Sequence, residues 1–338
     1  MTDTRKAMIL GLSGPVLTPA EKAFFGAAQP WGFILFGRNV ESLEQVRALV
    51  EDARSAVGWQ APVLIDQEGG TVRRLRPPLV RDYPAADVIG ALFAERPEVA
   101  REAAWATGRL MAADLFALGI DIDCAPVLDM PPEAGSGFIA RRAYGSTPQQ
   151  VTTMAQAVAD GLVAGGVQPV VKHIPGHGRG FADSHKDLPV VDAPLEVLRQ
   201  TDFRPFSELQ GIRMAMTCHC VFSAVDPYFP ASASRKVMEE IIRGEIGFDG
   251  LVMSDDISMN ALSGDIADRA KAVLGSGLDI VLHCNGVMAE MEMVAGVAPA
   301  LSGASLARAN DVIEARPAPD DADLAALGRK LDDILAMA

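Results

Sequence analysis

Three of the chain's five histidines lie in "KHIPGHGRGFADSH", residues 172 to 185, with three glycines, a proline and an aspartate two positions before the last histidine. Such a set can hold a metal, cradle a phosphate, or carry a proton on a movable arm. Zinc is disfavoured because His173, His177 and His185 stand four and eight positions apart, and Pro175 and Gly176 break any helix that would put the first two on one face. A phosphate loop needs glycines that open a helix and end in Lys-Ser/Thr, whereas Lys172 precedes the glycines. The third reading takes Gly176, Gly178 and Gly180 as the freedom of a loop hung on a strand. Asp183 and His185, two apart in an extended segment, then face the same way, near enough for the carboxylate to fix the imidazole's tautomer. A polar surface loop closed by an Asx turn is the alternative without chemistry.

Other polar residues follow short apolar runs. Asp66 and Glu68 follow "PVLI", Lys172 and His173 follow "QPVV", His219 follows "MAMTC", Asp255 and Asp256 follow "LVMS", and His283 with Asn285 follows "DIVL". In a parallel barrel the strands are buried on both faces, and active sites are built at their carboxyl ends. Each residue has a structural alternative. Asp256 can cap a helix beginning at Ser254–Ser258, Lys172 can serve as an ion-pair partner, and His283 can be a satisfied core histidine.

The elements that must carry these residues read as alternating strands and helices. The candidate strands are "AMILGLSG", "WGFILFGRN", "APVLIDQEGG", "IDIDCAPVLD", "VQPVVKHIPG", "MAMTCHCVF", "GLVMSDDIS" and "LDIVLHCN", eight in number. Amphipathic stretches such as Leu43–Val57 and Glu98–Leu118 separate them. The expected fold is α/β, a TIM (β/α)8-type barrel forming one domain over 1–338, with C-terminal helices around Gly286–Leu301 and Asp321–Met337. No linker, charge block or repeat divides the chain.

Composition narrows the partners. Thirty Lys and Arg against 44 Asp and Glu give a net charge of −14, with no basic stripe, so nucleic acid is not expected. No run approaches the roughly 18 apolar residues of a membrane span. The start lacks a secretory pattern, and Cys124, Cys218, Cys220 and Cys284 sit inside apolar runs, so reduced thiols and a cytoplasmic location are expected.

The whole set of motifs resembles glycoside hydrolase family 3, in particular its short single-domain bacterial β-N-acetylhexosaminidases of peptidoglycan recycling. The resemblance runs from "GFILFGRN" through "DQEGGTVRRLR", "CAPVLDM", "FIARRAYG", "KHIPGHGRGFADSH" and "TDFRPF" to "GFDGLVMSDDISM" and "GLDIVLHCN". It implies that Asp255 is the nucleophile, that His185 is the general acid/base with Asp183 as its partner, and that Asp66, Arg74, Arg142, Lys172 and His173 hold the sugar hydroxyls. Arg141 stands beside Arg142 in the same motif. The departures are Ile174 where Phe is commoner, Thr71 where Arg is common, and Ala143-Tyr144 where Ser-Phe is usual.

These roles suit the residue types. A retaining glycosidase needs a carboxylate beneath the sugar to form a covalent glycosyl-enzyme and a proton donor at the leaving oxygen. Here the resemblance implies a histidine for the second task, where most families use a second carboxyl group. With only three Trp and three Tyr for stacking, a small pocket and exo action are expected. The expected activity is removal of terminal N-acetylglucosamine from muropeptides, such as those ending in 1,6-anhydro-N-acetylmuramic acid. No cofactor and no metal are expected, and nothing fixes the oligomeric state. The alternatives are a family 3 β-glycosidase of other specificity, a metal-dependent barrel hydrolase using His173, His177 and strand-end aspartates, and a sugar-binding barrel without turnover.

Overall fold

The computed structural model describes residues 4–131, 139–180 and 188–337, and within them eight parallel strands close into a barrel. The strands are β1 (Lys6–Gly11), β2 (Pro30–Leu35), β3 (Val63–Ile65), β4 (Ile122–Asp123), β5 (Gln168–Ile174), β6 (Met214–Thr217), β7 (Leu251–Asp256) and β8 (Ile280–His283). Each pairs with its neighbour in sequence, and β8 returns to β1, with Met8 against Val281. Each of the eight segments picked out in the sequence supplies one of these strands. Asp183 and His185 fall outside the described residues.

Period-two alternation along the strands builds two cores. Ile9, Leu64, Ile122, Val170, Met214, Met253 and Leu282 point inward and, with Trp31, fill the barrel. Their neighbours Met8, Leu10, Ile65, Val171, Val252 and Val281 face the helices. Each such buried side chain contributes about 1.5–3 kcal/mol relative to exposure.

The helices start and stop on local signals. In α1 (Pro19–Ala28) the Thr18 hydroxyl accepts from the Glu21 N–H while the Glu21 carboxylate reaches back to Thr18. α2 (Leu43–Val57) has the bounds expected from its pattern. Ser42 and Gln45 form its capping box, Gly58 at φ 76° ends it, and Val46, Leu49, Val50, Ala53 and Val57 are its buried stripe. α3 (Pro97–Phe116) and α4 (Pro148–Ala164) approach closely because Gly108 and Gly161 leave room. A Cβ on Gly161 would stand 2.2 Å from the Trp105 carbonyl oxygen, and one on Gly108 would stand 2.3 Å from that of Val158. An alanine at either position would force the pair apart.

The remaining long helices are α5 (Ile266–Gly275), α6 (Met288–Val297), α7 (Gly303–Glu314) and α8 (Leu324–Leu335). The chain departs from two sequence expectations. No helix starts at Ser254–Ser258, because β7 runs through Asp256 and turns follow it; the next helix, α5, is capped by Asp265. α7 is an additional C-terminal helix between the two expected. Its buried positions include the small Ala309, which gives little apolar signal, yet Ala309 and Val312 join the barrel's inner core. All four cysteines are buried free thiols. Among the described residues no helix is long and apolar enough to cross a membrane.

Candidate active site

Alternation decides which strand-end residues enter the barrel mouth. Leu64 points inward, so Asp66 does too; Leu251 and Met253 point inward, so Asp255 follows them. The same register turns His283 outward, where its Nε2 lies 2.8 Å from the Glu290 carboxylate of α6. His283 is therefore a core histidine, satisfied at Nε2 only, since among the described residues its buried Nδ1 has no hydrogen-bond partner. On β5, Lys172 continues the inward row after Val170, and a register shift between Lys172 and Ile174 lets the adjacent His173 line the same cavity.

The cavity holds about 310 Å³. Asp66, Glu68, Arg74, Arg142, Lys172, His173, His177, Asp255 and Asp256 form its polar wall, and Ile34, Phe36, Met216, Met259 and Leu282 an apolar one. Six of the eight residues expected at the site therefore meet in one space; the other two, Asp183 and His185, lie outside the described residues.

Buried Lys172 is the centre of the polar wall. Its Nζ donates to Asp66 at 2.8 Å and to Glu68 at 2.6 Å. The second Asp66 oxygen accepts from Arg74 at 2.7 Å, and Arg142 grips Glu68 through two hydrogen bonds of 2.8 Å. Burial alone would push both carboxyl groups up. Lys172 and then Arg74 hold Asp66 well below the usual carboxylate range, and Arg142 with Lys172 holds Glu68 down. Lys172 is kept protonated against its own burial by the same two carboxylates. Arg142 faces the cavity with its side chain 9% exposed, whereas Arg141, 64% exposed, turns out toward Asp87.

The turn that carries Asp66, Glu68 and Arg74 is tied from beneath. Buried Asp123 accepts from the Gln67 N–H at 2.9 Å, and the Gln67 side-chain oxygen accepts from the Arg74 and Leu75 N–H groups. Burial pushes the Asp123 carboxyl well up.

Asp255 accepts from the Asp256 N–H at 2.8 Å and presents its carboxylate to the cavity. Burial would raise its pKa, but His173, His219 and the Asp256 N–H lower it, so the group stays ionised. Asp256 caps the turn instead: Oδ1 accepts from the Ser258 and Cys284 N–H groups, both at 3.1 Å. His219 is locked beneath, with Nδ1 2.6 Å from the Ser232 hydroxyl and Nε2 3.0 Å from the Asp256 carbonyl oxygen. It braces β7.

Asp129, His173 and His177 bring three ligand-type atoms within 4.8 Å of one another, all buried. Asp129 Oδ2 and His173 Nδ1 are only 2.6 Å apart, which is a hydrogen bond. Two ligands of one tetrahedral zinc would stand roughly 3.3 Å apart. Burial pushes the His177 imidazole down to about 4, against the pull of Asp129 and Asp255, so it is neutral at pH 7. Asp129 and the central place of Glu68 escaped the sequence reading. Their signal was present, since both are acids following apolar strand runs, but their partners lie far away in the chain.

The family model described as "Glycosyl hydrolase family 3 N terminal domain" matches residues 22–313. A "Beta-hexosaminidase" of Idiomarina loihiensis is 35% identical over 314 residues, covering 90% of this chain and 92% of that one. The crystal structure of native NagZ from Neisseria gonorrhoeae superposes with a TM-score of 0.88 at 28% identity, covering 100% of this chain and 99% of that one. The same relative in complex with N-trifluoroacetyl-D-glucosamine gives a TM-score of 0.87 at 28% identity, with the same coverage.

Proposed function

The chain belongs to glycosyl hydrolase family 3 and is a glycoside hydrolase of the β-N-acetylhexosaminidase type, and from that premise we propose that it is an exo-acting, retaining β-N-acetylglucosaminidase. Its substrates are muropeptides, including those ending in 1,6-anhydro-N-acetylmuramic acid, in cytoplasmic peptidoglycan recycling. The whole chain, 1–338, acts as one catalytic barrel. The observation that carries this reading is the Asp255 carboxyl group facing a cavity of about 310 Å³, beside a wall of preorganised charged hydrogen-bonding groups. That volume lies at the lower end of small-molecule sites, which begin at about 300 Å³. It suits one terminal sugar.

Asp255 attacks the anomeric carbon, and the bond to the leaving oxygen breaks as His185 gives that oxygen its proton. The glycosyl group is then an ester of Asp255. His185 next takes a proton from water, whose oxygen attacks the same carbon and releases the aspartate, so the configuration is retained. Asp183 orients His185. Asp66, Arg74, Arg142, Lys172 and His173 bind the sugar hydroxyls, where charge-assisted hydrogen bonds are strongest. The complex of the gonococcal relative with N-trifluoroacetyl-D-glucosamine supports an N-acylglucosamine in such a pocket.

The test is hydrolysis of an aryl β-N-acetylglucosaminide against the matching β-glucoside, with a chelator in a parallel tube. Strong preference for the first, unchanged by the chelator, is expected. Preference for the glucoside would replace the proposed specificity, and loss of activity with the chelator would favour a metal-dependent hydrolase.

A further inference from the structure

His173 is proposed to touch sugar, yet half of its ring is turned away from the cavity toward Asp129. That aspartate is fully buried and sits past the end of β4. Its Oδ2 lies 2.6 Å from His173 Nδ1, and its Oδ1 accepts from the His173 N–H at 3.1 Å and the His177 N–H at 2.7 Å. A carboxylate has only acceptors to offer, so Nδ1 must carry the proton. Burial alone would raise the Asp129 carboxyl, but His173 and the His177 N–H hold it well below the usual range, so it remains a carboxylate.

We propose that Asp129 is a positioning residue: it fixes the His173 ring with Nδ1 protonated and turned inward, so that Nε2 faces the cavity and meets a hydroxyl of the bound sugar. The same carboxylate ties the backbone at His173 to that at His177, closing the turn that leads from β5 into the segment bearing Asp183 and His185. The proposal rests on the glycosidase reading for its kinetic effect but not for the state of the ring. Carboxylates that orient a metal-bound histidine from behind alter activity about 10- to 100-fold when changed, and an effect of the same order is expected for this metal-free pair.

Asp129→Asn keeps an oxygen for the two backbone donors but replaces the other acceptor with an NH2 group, which can only donate. His173 Nδ1 must then give up its proton and Nε2 takes one, which inverts what the ring shows the sugar. Two measurements test this. In ¹⁵N-labelled protein the His173 resonance, identified by its loss in His173→Gln, should report Nδ1 protonated in the wild type and Nε2 alone protonated in Asp129→Asn. In a double-mutant cycle on an aryl β-N-acetylglucosaminide, Asp129→Asn should lower kcat/KM about 10- to 100-fold in the wild type and add almost nothing in a His173→Ala background. Losses that multiply, or a wild-type Nδ1 without its proton, would overturn the proposal. So would activity abolished by chelation and restored by zinc, which would make the cluster a metal site. A wild type inactive on every β-N-acetylglucosaminide would remove the functional reading while the ¹⁵N measurement still judged the tautomer.

Discussion

Buried charge gathers at both ends of the barrel, and the two sets differ in what their oxygens are left to do. At the amino end, Asp279 precedes β8 and accepts from the Val252 N–H, Arg243, Ser305 and Arg308. Asp121, before β4, accepts from the Val63 N–H at 2.7 Å and pairs with Arg54 of α2 and Arg316 after α7. Those partners come from the strands and from the helical shell, so these carboxylates fasten helices to the barrel. At the carboxyl end the same pairs of residue types border a cavity. Burial outweighs the arginines at Asp121 and raises its pKa, whereas Lys172 and Arg74 outweigh burial at Asp66 and lower it. A buried ion pair is weak evidence of function by itself; an ion pair with an open side is stronger.

Changing one aspartate at each end separates the two kinds of work. Asp255→Ala should lower kcat by at least about 10⁴, as loss of a nucleophile does in other covalent enzymes, while the melting temperature stays within a few degrees. Asp279→Ala should do the reverse: it takes the shared carboxylate away from Arg243 and Arg308, which keep only their other acceptors, and strands the buried Val252 N–H, at a cost of about 3–5 kcal/mol in chemical denaturation, with kcat/KM of the folded fraction little changed. If both variants lost activity and stability together, the division between the two ends would fail.

His185→Ala should cost on the order of 10²–10⁴ in rate on natural glycosides, whose leaving oxygen needs a proton. With an activated aryl leaving group the first step should suffer much less. Equal losses on the two substrates, measured by single turnover, would count against the role.

His177 gives the smallest effect. Its folded pKa is lowered from 6.5 to about 4, so the unfolded chain takes up a proton that the folded one refuses. Its contribution is present above about pH 6.5 and is lost as pH falls toward 4. Denaturant titrations of His177→Gln should therefore show a flatter acid limb, by up to about 3 kcal/mol across that window. The groups around it, Asp129, His173, Asp255 and Arg142, stay in place as the background. An unchanged limb would mean that His177 titrates freely.

Much of this was legible because it is local. Alternation in "LVMSDD" points Asp255 inward, and in "DIVLHC" it points His283 outward, so strand pattern and site register come from the same residues. The limits of α2 were readable from its amphipathic pattern, and Ser42 and Gly58 cap it at those bounds. The partners of Glu68 and Asp129 were not readable, because Arg142, Lys172 and His173 lie 74, 104 and 44 positions away, and no short-range rule gives such pairings. α7 was hidden by small residues that pack well but carry little hydrophobic signal. At Ser254–Ser258 the capping chemistry was rightly suspected, since Asp256 does accept from the Ser258 N–H, but it closes a turn and not a helix.

The proposed mechanism stands on a glycosyl ester at Asp255. Incubation with an activated 5-fluoro analogue of a β-N-acetylglucosaminide, which keeps the 2-acetamido group, followed by peptide mapping, traps and locates that ester. One sugar is expected on the peptide "GLVMSDDISM" at Asp255, with activity lost in step with labelling. A label on Asp256, or full turnover with no covalent adduct at any time, would contradict it.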